Sequence, residues 1–385
     1  MARVILISDS ATMNTGYGVA TFGLAKYLRR LGHDIAFVGM QHGGAPVYVK
    51  LDSEYVPMYE GNNLFSIERA FVDWKPDVGV HTRDAFAHIP KFFPNPYSFN
   101  GMQGRPKIAL WVPVQAPNYP PEYAAACVNE CDFAVAFTEW GKDELQFQGV
   151  PFNRIDYAHL GVDTEVIHPR DDLAHDALKQ AFGFSGDKPL LGSIGINDQP
   201  RKGWPILLEA AGKLKVDLEL YLHTPPEGHY ALPYHEAHYG LKGKVTYPQK
   251  LSKSWGPKPE TMAELLCALD VYANASIEEG FNLPLIEAAA SGTPVVCTDM
   301  PVHREILGNF GNYVKSTLSY PTGWGFGWLA DPDEMAKVLS DVLSILPEWR
   351  KEARDAQVKW MVERYAWPVI AEKWQTIFKR MGLNV

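Results

Sequence analysis

Ser276-Ile277-Glu278-Glu279-Gly280-Phe281-Asn282-Leu283-Pro284-Leu285-Ile286-Glu287-Ala288-Ala289-Ala290-Ser291-Gly292-Thr293-Pro294-Val295-Val296 is the stretch whose reading decides the fold. The apolar run before it reads as a strand ending near Ala275. A helix is predicted from about Pro284, because proline suits the first helical turn. Gly280 lets a ligand approach the backbone between them. The helix start points free amides and partial positive charge back at the loop. Glu279 stands before that helix, and Glu287 about one turn inside it. Two carboxylates beside an anion-binding turn would repel an anion. They make sense if they accept hydrogen bonds from hydroxyls while the amides hold phosphates.

The same alternation extends outward in both directions. Val4–Ile7, Ile35–Val38, Val78–Val80, Ile108–Val114 and Phe133–Phe137 read as strands of a first half. Leu190–Ile196, Leu218–Leu222, Val245–Tyr247, Val271–Asn274 and Val295–Cys297 read as strands of a second. They are continuous apolar runs, the pattern of strands covered on both faces. Helical stripes lie between them, such as Ala20, Leu24, Tyr27, Leu28 and Leu31, ended by Gly32. Strand–helix alternation means parallel sheets of βαβ units. The pattern pauses near Gly161–Arg170. Two facing open α/β domains with a cleft between them are therefore predicted, with ligands outside the carboxyl ends of the strands. Two stretches lack periodicity and read as irregular: Thr224–Pro259 and Asn312–Trp328.

Two further turns have the composition of ligand loops. Thr15-Gly16-Tyr17-Gly18 follows the first strand, though Thr21 three places on departs from the dinucleotide fingerprint. Gly195-Ile196-Asn197-Asp198-Gln199-Pro200-Arg201-Lys202-Gly203 follows a second-half strand. Its adjacent cations suit a diphosphate: arginine offers a planar fork and lysine a mobile point charge. Asp331-Pro332-Asp333 precedes an amphipathic pattern from Met335 and reads as a helix cap. Cys127, Cys131, Cys267 and Cys297 lack metal-finger spacing and read as small buried hydrophobes. His223, His229, His235 and His238 are irregularly spaced and carry no metal frame.

The 385 residues suggest about two to three domains. A hydrophobic fraction of 46% and a charged fraction of 21% exclude a disordered chain. No apolar run approaches the ~18–20 residues that span a bilayer, and no signal-peptide pattern precedes the first strand. A cytoplasmic protein is expected. The net charge of −9 gives no general attraction for nucleic acid.

With these residues in place, the chain resembles the GT-B glycosyltransferases, in particular the large retaining glycosyltransferase family 4. Glu279 and Glu287 match that family's E-x7-E spacing, within a similar Gly280-Phe281 and Glu287-Ala288 context. Leu31-Gly32-His33-Asp34, Gly161-Val162-Asp163 with His168-Pro169, Pro200–Gly203 and Arg364-Tyr365-Ala366-Trp367 resemble its other landmarks in order. The resemblance implies a Rossmann-like acceptor domain at 1–165 and a Rossmann-like nucleotide-sugar domain at 166–365. It also implies a closing helix at 366–385 that packs back on the first domain.

It further implies a nucleotide-diphosphate sugar as donor substrate, transfer with retention, and no metal or other cofactor. Catalytic roles fall on Glu279, Lys202 and Arg201, with the cations on the diphosphate and Glu279 on the donor sugar. Glu287 would hold ribose hydroxyls. Gly280, Phe281, Asn282, Leu283, Asn197, Gly16 and Gly18 would complete the donor site. Tyr17, His81 and Gln115 would face the acceptor. That acceptor bears a hydroxyl: a glycan, a lipid-linked or phosphorylated molecule, or a modified nucleic-acid base. The family often has arginine where Ile196 stands, and a histidine in the loop that here reads Pro113-Val114-Gln115-Ala116. These departures leave open a GT-B protein that binds a nucleotide sugar or glycan without transferring it.

Overall fold

The computed structural model describes residues 1–40, 47–61, 64–84, 105–118, 120–249, 257–322 and 325–385. The chain divides into two compact units. One comprises Met1–Gly161 with Trp367–Val385, and the other is drawn from residues between Val162 and Ala366. The sequence reading drew its boundaries at 165 and 365. In the structure Val162 N–H donates to the Tyr365 carbonyl and Val162 pairs with Ala366, so both belong to the second unit.

The first unit carries β1 (Arg3–Asp9), β2 (Asp34–Met40), β3 (Val47–Leu51), β4 (Glu54–Glu60), β5 (Val78–Thr82), β6 (Lys107–Val112), β7 (Phe133–Ala136) and β8 (Ile155–Tyr157). They form one sheet in the order β3-β4-β2-β1-β5-β6-β7-β8. All neighbours are parallel except β3 and β4, which pair antiparallel. Val4, Ile5, Leu6 and Ile7 have no exposed surface, as a strand covered on both faces requires. The Gly16–Arg30 helix buries Ala20, Leu24, Tyr27 and Leu28 along its expected stripe, while Leu31 at its end is exposed.

The Trp367–Arg380 helix belongs to this first unit and buries Trp367, Ile370, Ala371, Trp374, Ile377 and Phe378. The Trp374 ring meets Trp111 edge-on at 5.2 Å. A Cβ at Gly23 or Gly161 would sit 2.2 or 2.3 Å from the Trp367 ring, so only glycine fits at either place. Buried Asp156 accepts from Lys373 at 2.9 Å and also pairs with Arg380, fixing the helix electrostatically.

The second unit holds β9 (Leu190–Ile194), β10 (Glu219–His223), β11 (Val245–Thr246), β12 (Val271–Asn274), β13 (Val295–Thr298) and β14 (Gly311–Val314). Their order is β11-β10-β9-β12-β13-β14, all parallel. Counted within the unit this is 3-2-1-4-5-6, the Rossmann order. The Trp204–Lys213 helix and the Pro332–Glu352 helix pack their Leu207, Leu208, Met335 and Leu339 into its core. Asp331 caps the latter helix, accepting from the amides of Asp333 and Glu334 at 2.9 Å each.

Two expectations are corrected here. The stretch 224–259 contains a Leu232–His238 helix and strand β11, while the rest of it from 250 to 256 lies outside the described residues. The stretch 312–328 carries most of β14 and a hairpin of β15 (Ser316–Thr322) with β16 (Gly325–Ala330). That hairpin is antiparallel, with a register shift between Leu318 and Tyr320. β15 is mostly exposed, while β16 is partly buried at Gly327 and Ala330, so neither shows the continuous apolar run of the central strands. All four cysteines are buried free thiols. Among the described residues no helix is long and apolar enough to cross a membrane.

Candidate functional site

In an open α/β sheet the crevice lies where the strand order reverses. In the second unit that point is between β9 and β12, neighbours through Val271↔Leu191 and Tyr272↔Gly192. The two loops leaving their carboxyl ends carry the candidate residues. After β9 comes a short 3₁₀ turn, Pro200–Lys202, ended by Gly203 at φ +62°. A Cβ on Gly203 would lie 2.0 Å from the Ala275 carbonyl oxygen, so only glycine lets this turn press against the end of β12. Ile277 N–H then donates to the Arg201 carbonyl at 2.7 Å, and Trp328 N–H to the Ile277 carbonyl at 2.7 Å. Gly195 leaves room for the Lys202 stem, whose carbons lie 3.1 Å from where a Cβ would stand.

These contacts deliver two cations to one carboxylate. Lys202 Nζ donates to Glu279 Oε1 at 2.5 Å and Arg201 Nη1 to Oε2 at 3.1 Å. Ser276 Oγ adds a third donor to Oε1 at 2.7 Å. Glu279 is only 4% exposed, which alone would favour its neutral acid. Burial raises its pKa, but the charges of Lys202 and Arg201 and the bonds from Lys202 and Ser276 outweigh that and hold it down at about 2. Glu279 is therefore an anion at any working pH. Burial and the neighbouring Arg201 lower the Lys202 pKa, against the opposite pull of Glu279. The trio keeps one net positive charge, with Arg201 the more exposed of the two cations.

The Leu283–Ala290 helix begins three residues past Gly280 and buries Leu283, Leu285 and Ile286. Asn282 precedes it at φ +88° and contributes no side-chain cap; Pro284 has no N–H, and Leu285 N–H donates to the Asn282 carbonyl at 3.1 Å, which leaves the Leu283 amide at the helix tip. Gly280 and Phe281 are buried, and the Phe281 ring packs edge-on to Tyr365 at 6.0 Å. Glu287 is half-buried, and among the described residues its carboxylate has no hydrogen-bond or ion-pair partner. Desolvation pushes it up to about 7. An unpartnered carboxylate one turn inside an anion-attracting helix tip is ready for a ligand hydroxyl.

Asn197 has a different part. Its Oδ1 accepts from Tyr230 N–H at 3.0 Å and its Nδ2 donates to the Tyr230 carbonyl at 2.7 Å. These bonds pin the loop that follows β10. Ile196 is exposed, so no cation stands there. Among the described residues no cluster of His, Cys, Asp and Glu is arranged to hold a metal.

In the first unit the strand order reverses between β1 and β5. Gly16 opens the helix after β1 with nothing within 4 Å of a Cβ position, and its surface is exposed. Gly18 is packed instead: its amide bonds Thr15 Oγ1 at 3.0 Å, and a Cβ would lie 2.6 Å from the Met13 carbonyl. Its contribution is to the turn rather than through a free amide. Tyr17 meets Phe137 edge-on at 6.4 Å. His81 is buried near the end of β5, and Gln115 Nε2 donates to Asp84 at 3.0 Å. The sequence reading missed Asp9, which accepts from Thr15 at 2.8 Å with Arg83 at 3.7 Å. It also missed Ser276, signalled only by a hydroxyl three places before Glu279, and the contact of buried His303 with Asn282, Nε2 to Nδ2 at 3.1 Å, which no local pattern marks.

The Lys202–Glu279–Arg201 cluster and the start of the Leu283–Ala290 helix, at the switch point of the second unit, are the observation that meets the comparisons. Residues 188–344 match the family described as Glycosyl transferases group 1. The match covers both candidate loops and the Leu283–Ala290 helix. The chain is 29% identical over 223 residues to an MMP alpha-(1->4)-mannosyltransferase of Mycolicibacterium hassiacum, covering 57% of this chain and 47% of the relative. It is 32% identical over 174 residues to a D-inositol 3-phosphate glycosyltransferase of Mycolicibacterium smegmatis, covering 44% and 38%. The chain thus spans less than half the length of these curated relatives. Among solved structures, sucrose-phosphate synthase from Thermosynechococcus elongatus superposes with a TM-score of 0.77 at 14% identity, covering 99% of each chain. A glycosyltransferase of Rickettsia africae gives 0.73 at 18%, covering 100% of this chain and 99% of its own. Anabaena HepE in complex with UDP and glucose gives 0.72 at 14%, covering 98% and 100%. The fold is the GT-B class expected from the sequence.

Proposed function

We propose that this chain is a retaining glycosyltransferase that moves a sugar from a nucleotide-diphosphate sugar to a hydroxyl acceptor. The single observation that carries the reading is the Lys202–Glu279–Arg201 cluster beside the tip of the Leu283–Ala290 helix. Its net positive charge beside a helix N-terminus suits a diphosphate. Its fixed carboxylate suits the hydroxyls of the sugar attached to that diphosphate. Glu287, without a partner among the described residues, is assigned the ribose hydroxyls. Bound UDP in a structural neighbour supports a nucleotide in this fold, without naming the base used here.

In the proposed step the acceptor oxygen bonds the anomeric carbon on the face the phosphate leaves. The carbon–oxygen bond to phosphate breaks, and the acceptor's proton passes to the departing phosphate oxygen. Lys202, Arg201 and the amides around Phe281–Leu283 stabilise the growing phosphate charge, an effect that is larger in a site that excludes water. Glu279 orients the sugar. Tyr17, His81 and Gln115 of the first unit are assigned to the acceptor: a glycan, a lipid-linked or phosphorylated molecule, or a modified nucleic-acid base.

The test is thermal shift and calorimetry with UDP, GDP and ADP and their sugars, since a ligand of the folded state raises apparent stability. Stabilisation by at least one diphosphate, with release of that diphosphate from its sugar conjugate, supports the proposal. No shift with any of them rejects it. Exposed Ile196, in place of the family's arginine, favours a second reading as a binder without turnover. Binding without any diphosphate release selects that reading.

A further inference from the structure

Asn282 stands at φ +88°, in the region that strains every residue with a Cβ. It is 6% exposed and does not cap the helix it precedes. Its Nδ2 lies 3.1 Å from His303 Nε2, and His303 Nδ1 lies 2.8 Å from the Thr298 carbonyl oxygen. A carbonyl only accepts, so Nδ1 carries the ring hydrogen and Nε2 offers a lone pair. Burial, with no exposed surface left on His303, pushes the imidazole down to about 4 and keeps it neutral. The Asn282 amide is thereby turned with its NH₂ to the ring. Its Oδ1 is left buried with no hydrogen-bond partner among the described residues.

Glycine at this position would avoid both the backbone strain and the orphaned acceptor. Stability therefore does not account for asparagine here, and strained, imperfectly satisfied residues concentrate where function needs a set geometry. Asn282 lies between Glu279 and the first helical amides, and His303 is close enough for the charges of Glu279 and Lys202 to act on it.

We propose that His303 is a positioning residue: by holding the Asn282 amide, it sets the backbone of Phe281–Leu283 in the orientation that receives the donor diphosphate. This rests on the reading of that turn as the diphosphate site. The ring touches no substrate and acts only through Asn282.

The test compares full-length His303→Leu, His303→Gln, Asn282→Gly, Asn282→Ala and the Asn282→Gly/His303→Leu double variant. Affinity is read by calorimetry for whichever of UDP, GDP and ADP binds the parent most tightly, with melting temperature recorded for each. His303→Leu is expected to weaken binding at least tenfold. His303→Gln is expected to recover most of that loss, because its amide can donate to Thr298 and accept from Asn282. In the Asn282→Gly background, His303→Leu is expected to cause no further loss of affinity, whatever it does to melting. Equal loss in both backgrounds, or binding within twofold of the parent, overturns the proposal. Asn282→Ala removes the pin from the other side and covers the case in which His303→Leu does not fold: tenfold weaker binding supports the role, parental affinity overturns it. A parent that binds none of the three overturns the diphosphate reading as well, whereas a binding parent with unchanged variants overturns His303 alone.

Discussion

Lys202 and Glu279, 77 residues apart in the chain, meet at 2.5 Å on loops that leave adjacent strands of one sheet. Neither charge could be buried alone without a large desolvation penalty. The pair therefore both closes the β9 loop on the β12 loop and keeps a buried carboxylate ionised, at the position the proposed function gives to the donor sugar.

Removing one partner separates these two roles. Lys202→Met leaves Glu279 buried with Arg201 as its remaining cation, and a loss of about 3 kcal/mol is expected in denaturant unfolding. Adding Glu279→Gln should recover part of that stability but none of the diphosphate affinity. Glu279 titrates below its unfolded value, so its stabilisation is present above about pH 4.5 and fades as pH falls toward about 2. The slope of stability against pH in that window should flatten in Glu279→Gln. An unchanged slope would show that the cluster does not hold the charge as described.

Glu287 has the opposite sign. Its folded pKa of about 7 lies above the unfolded value, so its contribution is whole below about pH 4.5 and is lost as pH rises from there through 7. Glu287→Gln should stabilise the ligand-free protein more at pH 8 than at pH 5, by on the order of 1 kcal/mol once partial solvent access is allowed for. The same substitution should weaken nucleotide binding, because a carboxylate accepts from two ribose hydroxyls better than an amide does. Parallel calorimetric titrations at the two pH values check both halves.

The parallel strands are legible in the sequence because both of their faces are covered. Val4–Ile7 and Val271–Asn274 need no solvent-facing residue and so read as unbroken apolar runs. The two glutamates are legible because eight residues span one loop and one helical turn. The β15–β16 hairpin is not, since β15 is mostly exposed and β16 only partly buried, so neither shows the unbroken apolar run of the central strands. The Asn282–His303 contact is also invisible, because 21 residues and a whole strand separate its halves. The bonds of Asn197 are invisible for a related reason: the loop after β10 returns over 33 residues to meet both ends of its side-chain amide at Tyr230.

Glycine substitutions distinguish close packing from open amides. Gly203→Ala forces a Cβ toward the Ala275 carbonyl at a positive φ, and should lower stability by roughly 2 kcal/mol or more. The Pro200–Lys202 turn would shift off the end of β12, so diphosphate affinity should fall with it. Gly16→Ala meets empty space at the start of a helix and should unfold within about 0.5 kcal/mol of the parent. Comparable losses for the two would contradict the packing described for Gly203.

Asp270 provides a control with the same electrostatics and no part in the site. It precedes β12 at the opposite end of the strand from Glu279 and is 5% exposed. It accepts from Leu190 N–H at 2.8 Å, from Lys179 Nζ at 3.1 Å and from Arg350 Nη2 at 2.6 Å, with His175 Nε2 at 3.0 Å. Burial opposes its charge, but the His175 and Leu190 hydrogen bonds and the Lys179 charge hold its carboxyl well below the usual range. Asp270→Ala strands a buried lysine, and a loss of roughly 3–5 kcal/mol is expected. Its pH signature matches that of Glu279, since a depressed pKa gives stability that disappears on acidification. The affinity of the protein that remains folded should nevertheless equal the parental value. Loss of nucleotide binding in Asp270→Ala under conditions where circular dichroism shows full folding would mean that the two ends of β12 are coupled, and that charge burial rather than contact explains the effects predicted at Lys202.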